Sequence, residues 1–360
     1  MSGDSNELVH SSFRAEEGNQ TIPSETWFEP FFIIHNGPNE ITDEDMDLEI
    51  QSIDQRIRSY RIPRIKWASR ETKVFRLKDL CNYRSVTGGD IGTYTVKFKV
   101  KGVFPRIIAG IEDTRNGAWS IDHTNFAAKS GPAVEDIFEV SPGSKNNLVF
   151  VMPNLPEDGW NSFADIYPTG AASNFSVVVD EEGRNTTIKL GENNKRLMRR
   201  VRLNNGKSTI FSFQNRDGFL PRRFHMGLHY QYKDGAPGFL IDGPLPISAK
   251  PTSTRWSPIF SGQNIENFIL LSDRKLGNKE FNGFTTEVAF YNATDGEPLR
   301  RTLKVNPGDT LVFSIEQDEQ LKDFISSGPA WAFMKFQPAC HAVVHYISRL
   351  ENSVATCHAF

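Results

Sequence analysis

Short stretches in which apolar and polar residues alternate run through most of this 360-residue chain, and they constrain its fold more than any other feature. Side chains of a β-strand point to opposite faces in turn, so a period of two indicates strands with one buried face. The stretches are separated by Gly-Gly, Pro-Gly and Asn-Gly turns, and from residue 73 onward no helical pattern lies between them. The pattern predicts an all-β fold of antiparallel sandwiches. The predicted strands are residues 93–100, 106–111, 136–140, 148–152, 163–167, 175–179, 209–213, 224–232, 268–271, 285–291, 299–305, 310–315, 331–336 and 342–347.

One segment departs from this pattern and predicts a helix near residues 43–59. Thr42 or Asp43 is a suitable N-cap, acidic residues occupy the first turn, and Pro63 would end the helix. The apolar stripe at helical spacing consists of Met46, Ile50, Ile53, Ile57 and Tyr60.

Residues 1–25 are polar and poor in aliphatic side chains, which predicts an extended or disordered N-terminal arm. The apolar segment 27–34 follows and is interrupted by Pro30, so it indicates an edge or docking strand rather than a helix. A docking strand needs a partner surface. The interface candidates are Trp27, Phe28, Phe31 and Phe32.

The densest positive charge of the chain lies in residues 190–203, between two β-rich halves. A solvated basic linker and a nucleic-acid contact both fit this composition. If the stretch binds RNA, the contact candidates are Lys195, Arg196, Arg199, Arg200 and Arg202.

The two halves share features in one order, which predicts an internal duplication. The basic stretch has a second copy at residues 70–84, the segment 140–151 parallels 305–313, and Trp160 with Phe163 parallels Trp331 with Phe333. We therefore predict an arm and helix at 1–62, one sandwich at 63–182 and a second at 183–360. The second would carry a long Pro-rich loop at 235–262.

Composition narrows the function classes. The net charge is -3, so any contact with a polyanion has to be local rather than global. Three cysteines without metal-ligand spacing argue against a disulfide framework or a zinc site. An uninterrupted apolar stretch of membrane-spanning length is absent from the sequence, so no membrane span is expected.

Residues with catalytic or metal-binding spacing are few. His225 and His229 share a strand face, and Cys340 and His341 precede His345, but neither set has a complete group of ligands. Motifs for phosphate loops, dinucleotide binding and serine nucleophiles are absent from the sequence. We expect no enzyme activity, no catalytic residue, no bound metal and no cofactor.

The stretch 191–202 resembles the segment that opens the β-sandwich in capsid proteins of picornavirus-like RNA viruses. Its elements are Gly-Glu, a short spacer, and then Leu and Arg residues in close succession; residues 70–84 resemble it more faintly. In that family an eight-stranded jelly roll follows, with a terminal alternating strand that residues 342–347 would supply. The resemblance implies tandem jelly-roll-like sandwiches.

A structural capsid protein is the function that this resemblance implies. Such a subunit self-assembles with copies of itself or related subunits into an icosahedral shell that encloses RNA. It is found in the virion, and in the host cytoplasm during assembly. The alternative is a cytosolic, lectin-like two-domain β-sandwich in which exposed Trp160, Trp256 or Trp331 stacks on a sugar or apolar ligand. A metal-dependent cupin-like enzyme is a more distant alternative.

Overall fold

The computed structural model describes residues 12–54, 56–101, 106–123, 125–129, 137–139, 148–152, 155, 159–166, 175–181, 184–189, 191–192, 195–196, 198–203, 209–215, 219–221, 226–242, 251–262, 264–276, 282–294, 296–326, 328–340 and 342–358. In this part the protein consists mostly of antiparallel β-strands, which confirms the predicted all-β fold.

The strands form three successive groups, and eight strands of each group fold into two facing sheets. The first group is β1 (Ser12–Ile22), β2 (Phe28–His35), β3 (Ile41–Ser52), β4 (Ile57–Trp67), β5 (Thr72–Arg76), β6 (Gly92–Lys101), β7 (Arg106–Asp113), β8 (Ala118–His123), β9 (Asn125–Lys129) and β10 (Ile137–Glu139). The second is β11 (Leu148–Met152), β12 (Trp160–Ile166), β13 (Phe175–Glu181), β14 (Arg184–Lys189), β15 (Gly191–Glu192), β16 (Lys195–Arg196), β17 (Arg199–Leu203), β18 (Thr209–Asn215), β19 (Phe219–Pro221), β20 (Met226–Tyr232) and β21 (Gly238–Asp242). The third is β22 (Thr252–Ile259), β23 (Ile265–Ser272), β24 (Arg274–Leu276), β25 (Phe284–Asn292), β26 (Leu299–Val305), β27 (Thr310–Ser314), β28 (Ala330–Cys340), β29 (Val343–Leu350) and β30 (Ser353–His358).

Helical segments are short in the described part of the chain. They are α1 (Leu77–Leu80), α2 (Tyr83–Thr87), α3 (Glu319–Ser326) and one 3-10 turn (Ile315–Gln317). Among the residues that are described, none of these helices is long and apolar enough to cross a membrane.

The three groups have one topology. Sheets β4-β3-β6-β1, β14-β13-β18-β11 and β26-β25-β28-β22 have the same strand order, and so do β5-β2-β7-β8, β17-β12-β20-β21 and β27-β23-β29-β30. If the eight shared strands of each sandwich are numbered in chain order, the sheets read 1-6-3-4 and 8-7-2-5. The described part of the chain is therefore a threefold repeat of one sandwich, not the predicted twofold one.

Each sandwich has its own core of apolar side chains between its two sheets. These side chains alternate along the strands with residues that point to the outer faces, as the period-two pattern of the sequence requires. Buried members of the three cores are Leu48, Val96 and Ala109 in the first, Val179 and Leu228 in the second, and Val288 and Tyr346 in the third.

The sandwiches pack on one another through the outer face of the 8-7-2-5 sheet. At the first junction, this face of the second sandwich covers the end of the first: Phe239 belongs to the first core cluster, and Asp165 is bonded to Thr21. At the second junction, the same face of the third sandwich covers the end of the second. Phe268 and Leu270 belong to the second core cluster, and the Phe268 ring meets Trp160 edge-on with 5.8 Å between centroids.

The strand register relates the two junctions position by position. The seventh strands end at Asp113, Tyr232 and Leu350. In every sandwich, the residue three positions before the end of the seventh strand pairs with a phenylalanine on the second strand. The pairs are Gly110 with Phe31, His229 with Phe163, and Ile347 with Phe268.

The residue two positions after each of these phenylalanines has its side chain on the same outer face of the 8-7-2-5 sheet. We call this residue and its partner on the fifth strand the junction pair. The junction pairs are Ile33 with Val74, Asp165 with Arg200, and Leu270 with Val312. The first and third pairs are aliphatic, whereas the second is an ion pair.

The predicted helix at 43–59 is wrong, because these residues form β3, a turn and the start of β4. Met46, Leu48 and Ile50 are all fully buried, so the apolar pattern has a period of two that the helical stripe also accommodates. Pro63 lies in β4, which is at the edge of its sheet, where a residue without an N–H is tolerated.

The predicted arm and domain limits also differ from the structure. Residues 12–22 of the expected arm form β1, which pairs with β6 and β9; residues 1–11 lie outside the described part. The boundary at 62/63 falls inside β4, and the one at 182/183 falls between the paired strands β13 and β14. The Pro-rich segment 235–262 contains β21 and β22.

The proposed internal parallels are correct at one place. Residues 72–76 and 199–203, from the two basic stretches, are both fifth strands. The other parallels join different positions: residues 148–152 are a first strand and 310–314 a fifth, and Trp160 lies on a second strand but Trp331 on a sixth. Pro-Gly turns recur between strands, so the similarity of 140–151 to 305–313 does not require equivalent positions.

Candidate functional site

Among the five RNA-contact candidates, the three whose side chains are described do not form one free cationic surface. Arg200 is bonded to the buried Asp165, and Arg199 donates to the carbonyl oxygen of Met198 at 2.8 Å. Arg202 is exposed and donates to Asn161 Oδ1 at 3.1 Å. Lys195 and Arg196 form β16, and their side chains lie outside the described part. The prediction is therefore corrected for Arg200, whose charge is used inside the protein.

Asp165, Arg200, His229 and Thr21 form a buried polar cluster at the first junction. Arg200 donates to both carboxylate oxygens of Asp165 at 2.7 Å, and His229 Nε2 lies 3.0 Å from Oδ2. Thr21, from the first sandwich, donates to the same carboxylate. Because Asp165 is fully buried, only this ring of partners makes its charge tolerable.

The cluster keeps Asp165 ionised. Burial by itself would raise the pKa of Asp165, but the Arg200 guanidinium and His229 outweigh burial and hold that pKa well below its usual range. The guanidinium also stacks over the Phe163 ring, 4.9 Å from its centroid. A cavity of only about 50 Å³ borders these side chains, so the arrangement suits a structural ion pair better than a ligand site.

The histidine pairs do not become metal sites in the described part of the chain. His229 faces Asp165, while His225 lies outside the described residues, as does His341. His345 is buried and meets Tyr230, with 3.3 Å between Nδ1 and the hydroxyl oxygen. Within the described residues, no group of three or more His, Cys, Asp or Glu side chains is placed to hold a metal ion.

The interface candidates are corrected by their burial. Phe28, Phe31 and Phe32 are 1%, 0% and 0% exposed, because β2 is paired on both sides and belongs to the first sandwich. Trp27 is half-buried beneath the Arg115 guanidinium, 4.9 Å from its ring centroid. These side chains therefore pack within the protein itself and are not exposed for contact with a partner.

The side chains best placed to meet a ligand lie on the outer face of the 1-6-3-4 sheet in the third sandwich. On β28, Ala332, Met334 and Phe336 point into the core, so Trp331 and Phe333 point outward. On the neighbouring strands the register places Trp256 opposite Phe333 and Tyr291 opposite Trp331. We call Trp256, Tyr291, Trp331 and Phe333 the aromatic surface.

The rings of the aromatic surface are accessible and partly pre-arranged. Trp256, Trp331 and Phe333 are 48%, 41% and 39% exposed. Tyr291 and Trp331 stack face to face, with 5.5 Å between centroids and 7° between planes. A row of neighbouring aromatic faces on a stiff sheet can receive flat apolar faces of a ligand with little loss of side-chain entropy.

Charge next to the aromatic surface is partly compensated. Arg300 lies beside Ala289 on this face and donates to Glu287 Oε1 at 2.6 Å. Glu287 is in turn directly opposite Lys335 on β28. Sites for single-stranded nucleic acid combine stacking rings with a cationic groove, and this carboxylate lies between the nearest cations instead.

Sequence reasoning found part of this surface. Trp256 and Trp331 were candidates for ligand stacking, and the structure brings them to one face. Trp160 was a third candidate and is buried at the second junction, 5% exposed. Tyr291 was missed, because only the pairing of β25 with β28 shows that it stacks on Trp331.

Comparisons with known proteins add little. No family model matches the chain, and no curated protein matches it. Among solved structures, dimeric latent PorU from Porphyromonas gingivalis is weakly similar, with a TM-score of 0.18 and 9% sequence identity. The alignment covers 96% of this chain and 33% of that chain, so this chain spans about a third of the other's length. A TM-score this low does not establish a shared fold.

Proposed function

We propose that the protein is a β-sandwich binding protein that holds a carbohydrate on the aromatic surface. The observation that supports this most is the clustering of Trp256, Trp331 and Phe333, all well exposed, on one face of one sheet. Large aromatic side chains usually contribute to a core, so several exposed together favour a binding role.

The chemistry of the surface favours sugars over other partners. Pyranose rings have apolar C–H faces that stack on Trp and Tyr, and their hydroxyl groups need polar neighbours at the rim. Arg300, Glu287 and Lys335 supply donors and acceptors beside the rings. RNA is less favoured, because the carboxylate of Glu287 is bonded to Arg300 and lies opposite Lys335, which leaves no continuous cationic groove beside these rings.

Affinity electrophoresis and isothermal titration calorimetry against a panel of soluble polysaccharides test the proposal. Replacing Trp256 or Trp331 with Ala should weaken binding about tenfold, which corresponds to about 1.4 kcal/mol, because each substitution removes one stacking ring. Trp119→Ala is the matched control, since Trp119 is 46% exposed but lies on the first sandwich.

Binding that Trp119→Ala reduces as much as Trp256→Ala, or no binding to any member of the panel, would contradict the proposal. Poly(U) in the same assay tests whether the protein binds RNA. Binding of RNA but not sugar, with a steep salt dependence, would favour the capsid hypothesis instead. That hypothesis stays a prediction about assembly and RNA packaging, and large shells in negative-stain images would support it.

A further inference from the structure

The aromatic surface lies beside a row of polar side chains on the same sheet face. Phe333, Lys335 and Gln337 are exposed and alternate along β28 with residues of the core, so all three point outward. Lys335 follows Phe333 by two positions, which is about 7 Å along a strand. A lysine ammonium on its four-carbon stem covers this distance, so it can reach a ligand that lies on the Phe333 ring.

Lys335 has little negative charge beside it. The register places Thr254 opposite this lysine on one neighbouring strand and Glu287 opposite it on the other. The carboxylate of Glu287 is bonded to Arg300 at 2.6 Å. Among the described residues, Lys335 forms no ion pair of its own. Its positive charge is therefore available to a ligand on this face.

The equivalent position of the first sandwich has a different environment. The sixth strands begin at Gly92 and Ala330, and Lys97 and Lys335 each lie five residues farther along. The residues opposite Lys97 on its two neighbouring strands are Asp47 and Glu16. The lysine of the first sandwich thus lies between two acidic residues, whereas that of the third has an acidic residue on one side only.

The stacking rings and the lysine with fewer acidic neighbours occur on the same sheet. Trp331 and Phe333 of the third sandwich correspond to Thr93 and Thr95 of the first, counted from the same strand starts. One face therefore combines threonines with a lysine between two acidic residues, and the other combines rings with an available ammonium group. A ring for the apolar face of a sugar and a cation for an acidic substituent are what an acidic sugar requires.

We propose that the carbohydrate held on the aromatic surface is an acidic polysaccharide. Its sugar rings stack on Phe333 and Trp256, and the carboxylate or sulfate group of a stacked sugar pairs with Lys335. The interrupted positive charge of this face suits sugars with separated acidic groups better than the closely spaced phosphates of RNA. This inference rests on the proposed function and names its substrate class.

Isothermal titration calorimetry with two matched pairs of polymers tests the inference. The pairs are polygalacturonate with its methyl ester, and dextran sulfate with dextran. Each pair shares a sugar backbone and differs in the acidic group, so the first detects recognition of carboxylate and the second of sulfate. The wild-type protein should bind at least one acidic polymer about fivefold more tightly than its neutral partner, as expected for one ion pair at a partly exposed site.

Three variants test whether the preference depends on the lysine. Lys335→Gln should bind the neutral polymer like wild type and lose the preference for the acidic one. Glu287→Gln removes the neighbouring carboxylate and releases Arg300, so the preference should increase about twofold. Lys66→Gln is the matched control, since Lys66 is also exposed but lies on β4 of the first sandwich.

The outcomes separate this inference from the carbohydrate proposal. Equal binding of the acidic and neutral polymers, with Trp256→Ala still weakening both, would overturn the inference and leave the carbohydrate proposal intact. A failure to bind any polymer would overturn both. The inference is also wrong if Lys66→Gln reduces the preference as much as Lys335→Gln does, or if poly(U) binds as tightly as the preferred acidic polymer.

Discussion

The two junctions of this chain use the same strand positions and opposite chemistry. At the first, the junction pair is Asp165 with Arg200, and His229 lies in the next row; at the second, the corresponding residues are Leu270, Val312 and Ile347. Asp165, His229, Leu270 and Ile347 are buried between the same faces, and Arg200 and Val312 are partly buried there. The repeat therefore allows an ionic set and an apolar set of residues to be compared at the same positions of one kind of interface.

The comparison shows what each solution requires. The ionic junction needs all its partners at once, because removal of one leaves a buried charge or an unpaired donor. The second junction is apolar at these three positions and depends there on matching shape, although the buried His345 lies opposite Leu270 with its Nδ1 3.3 Å from the Tyr230 hydroxyl. We therefore expect the first junction to define one orientation of its sandwiches and the second to tolerate conservative substitutions.

The largest effect should follow from placing the ionic residue in the apolar junction. Leu270→Asp introduces a carboxylate at a fully buried position that faces Val312 and the His345 imidazole in place of a guanidinium, at a cost of roughly 3–5 kcal/mol. Chemical denaturation measures the free energy of unfolding. The double variant L270D/V312R should recover part of the loss, and equal stability of the single variant and wild type would contradict the expectation.

A smaller loss should follow from breaking the ionic junction. Arg200→Val leaves Asp165 with His229 and Thr21 as partners and should cost about 3 kcal/mol, near the lower end for a broken buried pair. The triple variant D165L/R200V/H229I copies the residues of the second junction and should be close to wild type in stability. A triple variant that is as unstable as Arg200→Val would show that the junctions are not equivalent.

Lowering the pH should destabilise the ionic junction more than the apolar one, by less than the substitutions above. The folded pKa of Asp165 is lowered, so its contribution to stability is fully present above the ordinary carboxyl pKa and is lost as the pH falls below it. Between about pH 4 and pH 2 the free energy of unfolding should therefore decrease more steeply for wild type than for D165L/R200V/H229I. Denaturant midpoints at several pH values measure this, and identical slopes would show that Asp165 does not titrate with unfolding.

The smallest effect concerns the turns beside the junctions. Arg115 bonds to Asp234 at 2.8 Å, but the Asp234 side chain is 66% exposed, so the pair contributes about 0–1 kcal/mol. Asn352 is the residue of the third sandwich that corresponds to Asp234. The residues that precede these two, Lys233 and Glu351, both have a positive φ. Asp234→Asn should change the melting temperature very little, and the small change should disappear in high salt.

Sequence reasoning reached the strand content of this protein but not its register. Alternation in residues 93–100 and 285–291 is a local signal, and it predicted strands correctly. Residues 46–50 carry a pattern that two periods share, so only pairing with β4 and β6 decides for a strand. The local sequence pattern of residues 46–50 therefore favoured neither a helix nor a strand.

The threefold repeat and the binding surface were harder to predict because both depend on pairings between distant strands. Asp165 and Leu270 share a position but not chemistry, which conceals the repeat in the sequence. The aromatic surface joins residues from β22, β25 and β28, which are far apart along the chain. Individual Trp residues could be identified as candidates, but their shared face could not.

The short strand β24 has a consequence for how the chain is made. It belongs to the third sandwich in sequence, yet it pairs with β11 at the edge of a sheet in the second. Val343, Ile347 and Val354 likewise complete the second core from near the chain's end. During synthesis from the N-terminus, the middle sandwich therefore leaves the ribosome with an open strand edge and an unfinished core. We therefore expect this sandwich to be prone to aggregation until residues 343–354 have emerged.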